Sequence, residues 1–200
     1  MRSHPSHSPA EQRARVAFEQ RRTPVWVGRY GRDDGDRTHG PVAHDYAVVM
    51  LITKGRSRMR HGAELTVREG DVHLIPPGDP HGSPHFEGVE GWGLAFRPEA
   101  FAQGDAGGWG DTEGALRLGP LLRVREGCHP VLTPTRAQRR RLEGWLRLLH
   151  TECTSGEGQR EHAQAVGALL RLVLIELERV AAPTAAPESA GLGLARRALT

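Results

Sequence analysis

Strand-length apolar runs separated by Gly- and Pro-rich turns fill the chain between residues 24 and 98, and they limit what it can fold into. The runs are VWVGRY (25–30), HDYAVVMLIT (44–53), the stretch KGRSRMRHGAELTVREGDVHLIPPGDPHG (54–82) and VEGWGLAFRP (89–98). Strands at roughly 8–12-residue intervals with turn residues between them are typical of an all-β sandwich or barrel. No uncharged apolar run approaches the roughly 18 residues that a membrane helix needs. We therefore expect a mainly β domain without a membrane span.

The hydrophobic period changes after residue 115, from two residues to about 3.6. Thr133-Pro134 is expected to open a helix that runs to about Cys153. In a second predicted helix, residues 157–181, apolar side chains recur at alternating steps of four and three residues: Val166, Leu170, Val173, Leu177 and Val180. This heptad-like seam predicts that the helix pairs two copies of the chain. The alternative is that the same stripe packs on the first helix or on the barrel.

The most informative motif is REGDVHLIPPGDPHG, residues 68–82. Gly70-Asp71 makes a tight turn into an apolar strand, Pro76-Pro77-Gly78 ends that strand, and Pro80-His81 brings a histidine to the next one. The pattern resembles the second conserved motif of the cupin barrel, in which the final histidine points inward and can serve as a metal ligand. The resemblance implies a cupin-like (jelly-roll) β-barrel.

The first cupin motif would end at Gly55 and would supply two histidines and a glutamate. Counting back from Gly55, the second histidine position holds His44, whereas the glutamate position holds Val48 and the first histidine position holds Val42. Two imidazoles make a poor metal site, because catalytic sites generally have three or more protein ligands. We therefore expect no catalytic residue, no bound metal and no cofactor.

Small-molecule binding is a different matter, because a barrel interior is where a few polar groups orient a ligand among apolar walls. The binding candidates are His44 and His81, with Tyr46 added because it shares the strand parity of His44. For His73, in the Val72–Ile75 strand, alternation alone leaves open which face of the sheet it occupies. His61 is expected at the surface.

The order of the segments along the chain resembles that of a known protein family. A polar arm, a barrel with a metal-poor cupin pattern, Phe96-Arg97-Pro98, two helices, a linker and the terminal LGLARRALT resemble the regulatory half of AraC-type bacterial transcription regulators. The resemblance covers roughly residues 24–200. It implies a barrel that binds a small effector, often a sugar, a helix that pairs two subunits, and a C-terminal DNA-binding domain. The expected domains are an N-terminal arm (1–23), the barrel (24–115), a helical dimerisation region (116–181), and a linker with the start of a truncated DNA-binding domain (182–200).

The implied partners are a small-molecule effector, a second copy of the chain and, through the missing C-terminal domain, DNA. These 200 residues are not expected to bind a specific operator by themselves, because their arginines are spread along the chain with acids between them. The polar N-terminus has no apolar stretch of the kind found in secretory signals, so we expect a cytoplasmic protein.

Two alternatives remain open from the sequence. One is a stand-alone metal-dependent cupin enzyme, such as a dioxygenase or a sugar isomerase. The other is a stand-alone sugar-binding or scaffolding cupin, which becomes preferred if the natural protein ends at Thr200.

Overall fold

The computed structural model of the protein describes residues 15–20, 23–31, 39–85, 88–97, 100, 119–155 and 160–182. Within these residues, antiparallel strands form two sheets. The five-stranded sheet has the order β1-β8-β3-β6-β9, and the four-stranded sheet has the order β2-β7-β4-β5. The strands are β1 (Val25–Tyr30), β2 (His39–Val42), β3 (Ala47–Lys54), β4 (Arg56–His61), β5 (Ala63–Arg68), β6 (Val72–Ile75), β7 (His81–His85), β8 (Glu90–Phe96) and β9 (Val131–Leu132). The expected cupin-like jelly roll is confirmed.

Tight turns fix the register of the strands. Gly62 joins β4 to β5 with a φ of 70°, a left-handed conformation that glycine adopts without steric cost. Gly70 has a φ of 95°, and the carboxylate of Asp71 accepts a hydrogen bond from the amide of Arg68 at 3.0 Å. The Gly70-Asp71 turn predicted from the sequence therefore forms, and it delivers the chain into β6.

Three helices follow or interrupt the sheet strands: α1 (Gly119–Arg125), α2 (Arg136–Ser155) and α3 (Arg160–Ala181). The second and third correspond to the two predicted helices, while α1, β2 and the short β9 were not predicted. A reciprocal cap begins α2, because the Thr135 hydroxyl accepts from the Gln138 amide and the Gln138 side chain accepts from the Thr135 amide.

The main core lies between the helices and one face of the five-stranded sheet. Alternate residues of β3, β6 and β8 point toward the helices and are almost completely buried, among them Leu51, Leu74 and Leu94. The helices meet them with Leu142, Leu146, Leu149, Leu170, Val173, Leu174 and Leu177. A smaller core, formed by Tyr30, Ile52, Met59, Val67 and Val89, fills part of the space between the two sheets. The helices and the barrel thus share one apolar core.

The predicted pairing seam of α3 is largely used inside the chain. Leu170, Val173 and Leu177 are buried against α2 and the sheet, so the packing alternative describes these residues. The exposed apolar side chains of the two long helices are different ones, Leu148, Leu172 and Ile175. Pairing of two chains through 157–181 stays a prediction, and it would have to use that outward face.

Candidate functional site

One end of the barrel collects the predicted site residues. Val25, Ala47 and Phe96 lie side by side in neighbouring strands, and Val48 lies opposite Ile75. The strand ends and connections next to them therefore belong to the same end of the sheet. The residues before β3 carry His44 and Tyr46, and the connection after β6 leads to His81. A hydrogen bond from the Gly78 amide to the His44 carbonyl, at 2.8 Å, ties these two segments together.

His44, Tyr46 and His81, the residues predicted to bind a ligand, form one aromatic cluster. The rings of His44 and Tyr46 are stacked, with centroids 4.0 Å apart and an interplanar angle of 2°. The His81 ring meets His44 edge-on, with centroids 4.7 Å apart. The Nδ1 atoms of His44 and His81 donate to the carbonyls of Tyr46 and Asp79, at 2.7 and 3.1 Å. Each neutral imidazole therefore keeps the lone pair of its Nε2 atom as an acceptor.

A segment of the predicted N-terminal arm covers this cluster. Phe18 is buried, and its ring lies edge-on to Tyr46 at 5.1 Å. The guanidinium of Arg97 lies 4.1 Å from the Phe18 ring centroid and donates from Nη1 to the Phe18 carbonyl at 2.9 Å. Residues 15–20 are thus docked on the barrel through a cation–π contact and a charge-assisted hydrogen bond. Residues 1–14 and 21–22 of the arm lie outside the described residues.

The sequence marks Arg97 only through the family motif Phe96-Arg97-Pro98, and no sequence motif marks Phe18. The signal that could have found them is a lone aromatic residue in a polar arm, together with an arginine directly after an apolar strand. Such residues become a site only when the chain folds back, which the sequence pattern does not show. Asp45 completes the group, with its Oδ1 3.9 Å from the Nε of Arg97.

The inner face of the five-stranded sheet forms the wall behind the cluster. The register places Trp26, Ala95, Val48 and Ile75 in one row across the sheet. The next row contains Gly28, Gly93, Met50 and His73. The Trp26 ring lies over Gly28 and reaches Gly93, where side chains are absent. Trp26, Val48 and Met50 are only partly buried, so this wall is apolar and partly accessible.

A polar relay of two histidines and a carboxylate runs into the barrel beside this wall. His61 Nε2 lies 3.3 Å from the Asp79 carboxylate, and His61 Nδ1 lies 3.1 Å from His73 Nε2. The surface prediction for His61 was wrong, because its side chain is only 7% exposed. Strand alternation could have revealed this, since Ser57, Met59 and His61 share one face of β4, and the first two are fully buried.

Hydrogen-bond polarity fixes how the relay ends. A carboxylate can only accept, so His61 donates from Nε2 to Asp79; when its ring carries no second proton, His61 Nδ1 accepts from His73 Nε2. The Nδ1 atom of His73 is then an acceptor, and it has no hydrogen-bond partner among the described residues although it is fully buried. An orphaned buried acceptor costs roughly 1–3 kcal/mol until a donor reaches it. Within the described residues, the barrel interior thus contains an unmatched acceptor beside an apolar wall.

Burial disfavours the charged forms of His44, Tyr46 and His73. Desolvation lowers the pKa of His44 and raises the pKa of the Tyr46 hydroxyl. For His73, burial and then the nearby imidazoles of His61, His81 and His129 lower the pKa to about 3. At neutral pH the site therefore presents uncharged acceptors and ring faces together with the fixed positive charge of Arg97.

Metal ligation has little support in the described part of the chain. No group of three or more His, Cys, Asp and Glu side chains there could hold a metal ion. Val48 faces the barrel at the position where the cupin pattern would have a glutamate, and Val42 is 45% exposed in β2. Among those residues, too, no helix is long and apolar enough to cross a membrane.

Comparison with known families matches this arrangement of parts. The profile of the family described as AraC-like ligand binding domain matches residues 24–177, which is most of the chain. The chain belongs to this AraC-like family. Its match includes the barrel, Arg97, α2 and most of α3, and excludes Phe18. Among functionally curated proteins, none matches this sequence significantly.

Solved structures give more distant similarities. The AraC-like transcriptional activator CuxR is 16% identical, with 82% of this chain and 52% of that chain covered and a TM-score of 0.45. Apo ToxT from Vibrio cholerae is 11% identical, with 78% and 56% covered and a TM-score of 0.44. The EutQ protein of Clostridium difficile is 11% identical, with 36% and 61% covered and a TM-score of 0.28. The AraC-like chain spans about half the length of CuxR and ToxT.

Proposed function

We propose that this chain is the effector-sensing and dimerising part of an AraC-type transcription regulator that acts in the cytoplasm. A small molecule would bind in the barrel and control DNA binding by a C-terminal helix-turn-helix domain that lies outside these 200 residues. The observation that carries the proposal is the cluster of His44, Tyr46 and His81, which Phe18 contacts and which lies beside a partly accessible apolar wall. Membership of the family supports it.

The chemistry of the barrel favours an uncharged, hydroxyl-bearing effector, and sugars are the first class to test. Trp26 offers a ring face, His44 offers an Nε2 acceptor, and the buried Nδ1 of His73 has no donor among the described residues. Each of these acceptors gains a partner from a ligand hydroxyl. Met50 lies directly opposite His73 on β3, and its flexible side chain can move aside to admit that hydroxyl.

The docked arm suggests how binding would be transmitted. Phe18 rests on the same Tyr46 ring that would face the effector, so the ligand and the arm share a contact surface. A ligand that binds better when Phe18 is docked shifts the arm toward the docked state. The size of that shift equals the difference in ligand affinity between the two states.

Dimerisation would use the outward face of the two long helices. Leu148, Leu172 and Ile175 are exposed apolar side chains there, while the predicted seam is buried. An ion-pair group lies beside them, because Glu176 accepts from Arg141 at 2.7 Å and from Arg179 at 3.2 Å. We expect Ile175→Arg to yield a folded monomer in sedimentation experiments.

The effector proposal is tested by thermal unfolding with a panel of pentoses, hexoses and sugar alcohols. A ligand at 100 times its Kd adds about 2.7 kcal/mol of stability, which raises the Tm of a protein of this size by roughly 5–11 °C. The Tyr46→Ala and His44→Ala variants should weaken binding at least tenfold, whereas Val42→Ala, on the exposed β2, should not. Equal ligand affinities in all three variants would show that the ligand does not bind at this cluster in the barrel. A stoichiometric metal with turnover of a substrate would favour the enzyme alternative.

A further inference from the structure

The outer face of the four-stranded sheet carries a concentrated positive charge. In β4 the side chains of Arg56, Arg58 and Arg60 alternate with buried Ser57 and Met59, so all three arginines point outward. The register places Arg68 of β5 directly opposite Arg56. We call these four arginines the arginine face. Sequence order spreads arginines along the chain, whereas strand alternation gathers these four on one surface.

Within the part of the chain that the structure describes, the charge of this face is only partly neutralised by nearby acids. The six outward positions of β4 and β5 hold the four arginines, Thr66 and Glu64. Four positive charges and one negative charge give +3, which equals the formal net charge of the whole chain. Glu64 pairs with Arg58 at 3.4 Å, and within the described residues no acid forms an ion pair with Arg56 or Arg60. The remaining residues of the chain therefore sum to zero.

The arrangement of the face works against folding stability. Like charges directly opposite each other on neighbouring strands destabilise a sheet, and Arg56 faces Arg68 in this way. Arg68 approaches Asp71 at 3.9 Å, but the Asp71 carboxylate also accepts from the Arg68 amide and from the Thr133 hydroxyl. By contrast, Arg139 and Arg141 of α2 each pair with a glutamate. An anionic partner would relieve the repulsion on the sheet.

We propose that the arginine face binds the phosphate backbone of duplex DNA without reading its sequence. This inference rests on the proposed function, which brings DNA close to the domain. Outward residues on one strand are about 6.8 Å apart, so Arg56, Arg58 and Arg60 span about 14 Å. A duplex presents about eight charges over that length of its axis, at one per 1.7 Å. Guanidinium groups match phosphate geometry with two parallel hydrogen bonds, and the sheet fixes the backbone positions from which these side chains extend.

The test is fluorescence anisotropy with a labelled 24-base-pair duplex of arbitrary sequence and the full 200-residue chain, at 25 to 200 mM KCl. Four phosphate contacts predict a slope of log K against log salt of about −3.6. The Arg56→Gln, Arg58→Gln, Arg60→Gln triple variant should flatten this slope to about −0.9 and weaken binding at least tenfold at 50 mM. A wild-type chain that does not bind the duplex at 25 mM overturns the proposal.

The matched control is the Arg136→Gln, Arg140→Gln, Arg147→Gln triple variant, which removes the same charge from exposed positions of α2. It should bind the duplex as tightly as the wild type does. If both triple variants lose the same affinity, binding depends only on the net charge of the chain, and the proposal is overturned. Replacing Arg56, Arg58 and Arg60 with lysine should restore most of the salt slope, which separates charge loss from misfolding. Tighter binding to poly-glutamate than to the duplex would assign the face to an acidic protein instead. Sugar-induced thermal stabilisation of the same variants reports the proposed effector function separately.

Discussion

The buried imidazole of His73 should make the protein acid-sensitive by a calculable amount. Its pKa is 6.5 in an unperturbed histidine and about 3 in the folded protein, because burial penalises the charged ring. Above pH 6.5 neither the folded nor the unfolded state binds the proton. Between pH 6.5 and 3 only the unfolded state binds it, so stability is complete above 6.5 and is lost as the pH falls.

The expected loss follows from the size of the shift. Each pH unit inside this window lowers the free energy of unfolding by about 1.4 kcal/mol, so the step from pH 6.5 to 5 costs about 2 kcal/mol through this one group. His44, whose pKa burial also lowers, contributes in the same direction. The share of this pH-dependent loss that belongs to His73 is therefore obtained by comparing the wild type with a His73 variant.

Urea unfolding, followed by tryptophan fluorescence at pH 7 and pH 5, measures this difference. The His73→Leu variant should lose about 2 kcal/mol less than the wild type between the two pH values, whatever its stability at pH 7. The His85→Gln variant, at an exposed position of β7, should lose as much as the wild type. If His73→Leu and the wild type lose equal stability, the ring is not held neutral by burial and the relay described above is wrong.

Three further substitutions test the packing. In urea unfolding, Leu170→Ala should lower the free energy of unfolding by about 2–5 kcal/mol because the side chain is fully buried. Ile175→Ala, on the exposed face of α3, should change it by less than about 0.5 kcal/mol. A small loss for Leu170→Ala would mean that this side chain is available to pair with a second chain. Gly91→Ala should cost roughly 1–3 kcal/mol of stability, since the added methyl group would collide with the Leu51 carbonyl and the Tyr30 hydroxyl. Gly93→Ala is the control, because its methyl group would meet the Trp26 ring at an ordinary distance of 3.5 Å. Equal melting temperatures of the two variants would contradict this prediction. Phe18→Ala should speed tryptic cleavage of the N-terminal arm, because the buried Phe18 ring holds residues 15–20 on the barrel. Val16→Ala, at an exposed position, should leave the cleavage rate unchanged. An unchanged rate for Phe18→Ala would mean that the ring does not hold residues 15–20.

Part of the site could be predicted because its residues lie in local motifs. His44, Tyr46 and His81 follow from counting within two cupin-like segments, and the structure brings them into ring contact. Phe18 and Arg97 are 79 residues apart, and no local period relates them. His61 and His73 belong to different sheets and meet only across the barrel interior.

The sequence by itself determined most of the strands, the turns, the two long helices and the family, since alternation, Gly and Pro positions and helical period are local properties. Only the tertiary structure decided which surface each pattern faces. The apolar stripe of Leu170, Val173 and Leu177 could pack equally well on a second chain or on the sheet of its own chain. The tertiary structure buries it against α2 and the sheet, because these elements belong to the same chain and lie next to α3. Likewise, the arginines of β4 become a concentrated face only through their register with β5. Burial and charge density depend on contacts between distant segments, which a one-dimensional pattern does not specify.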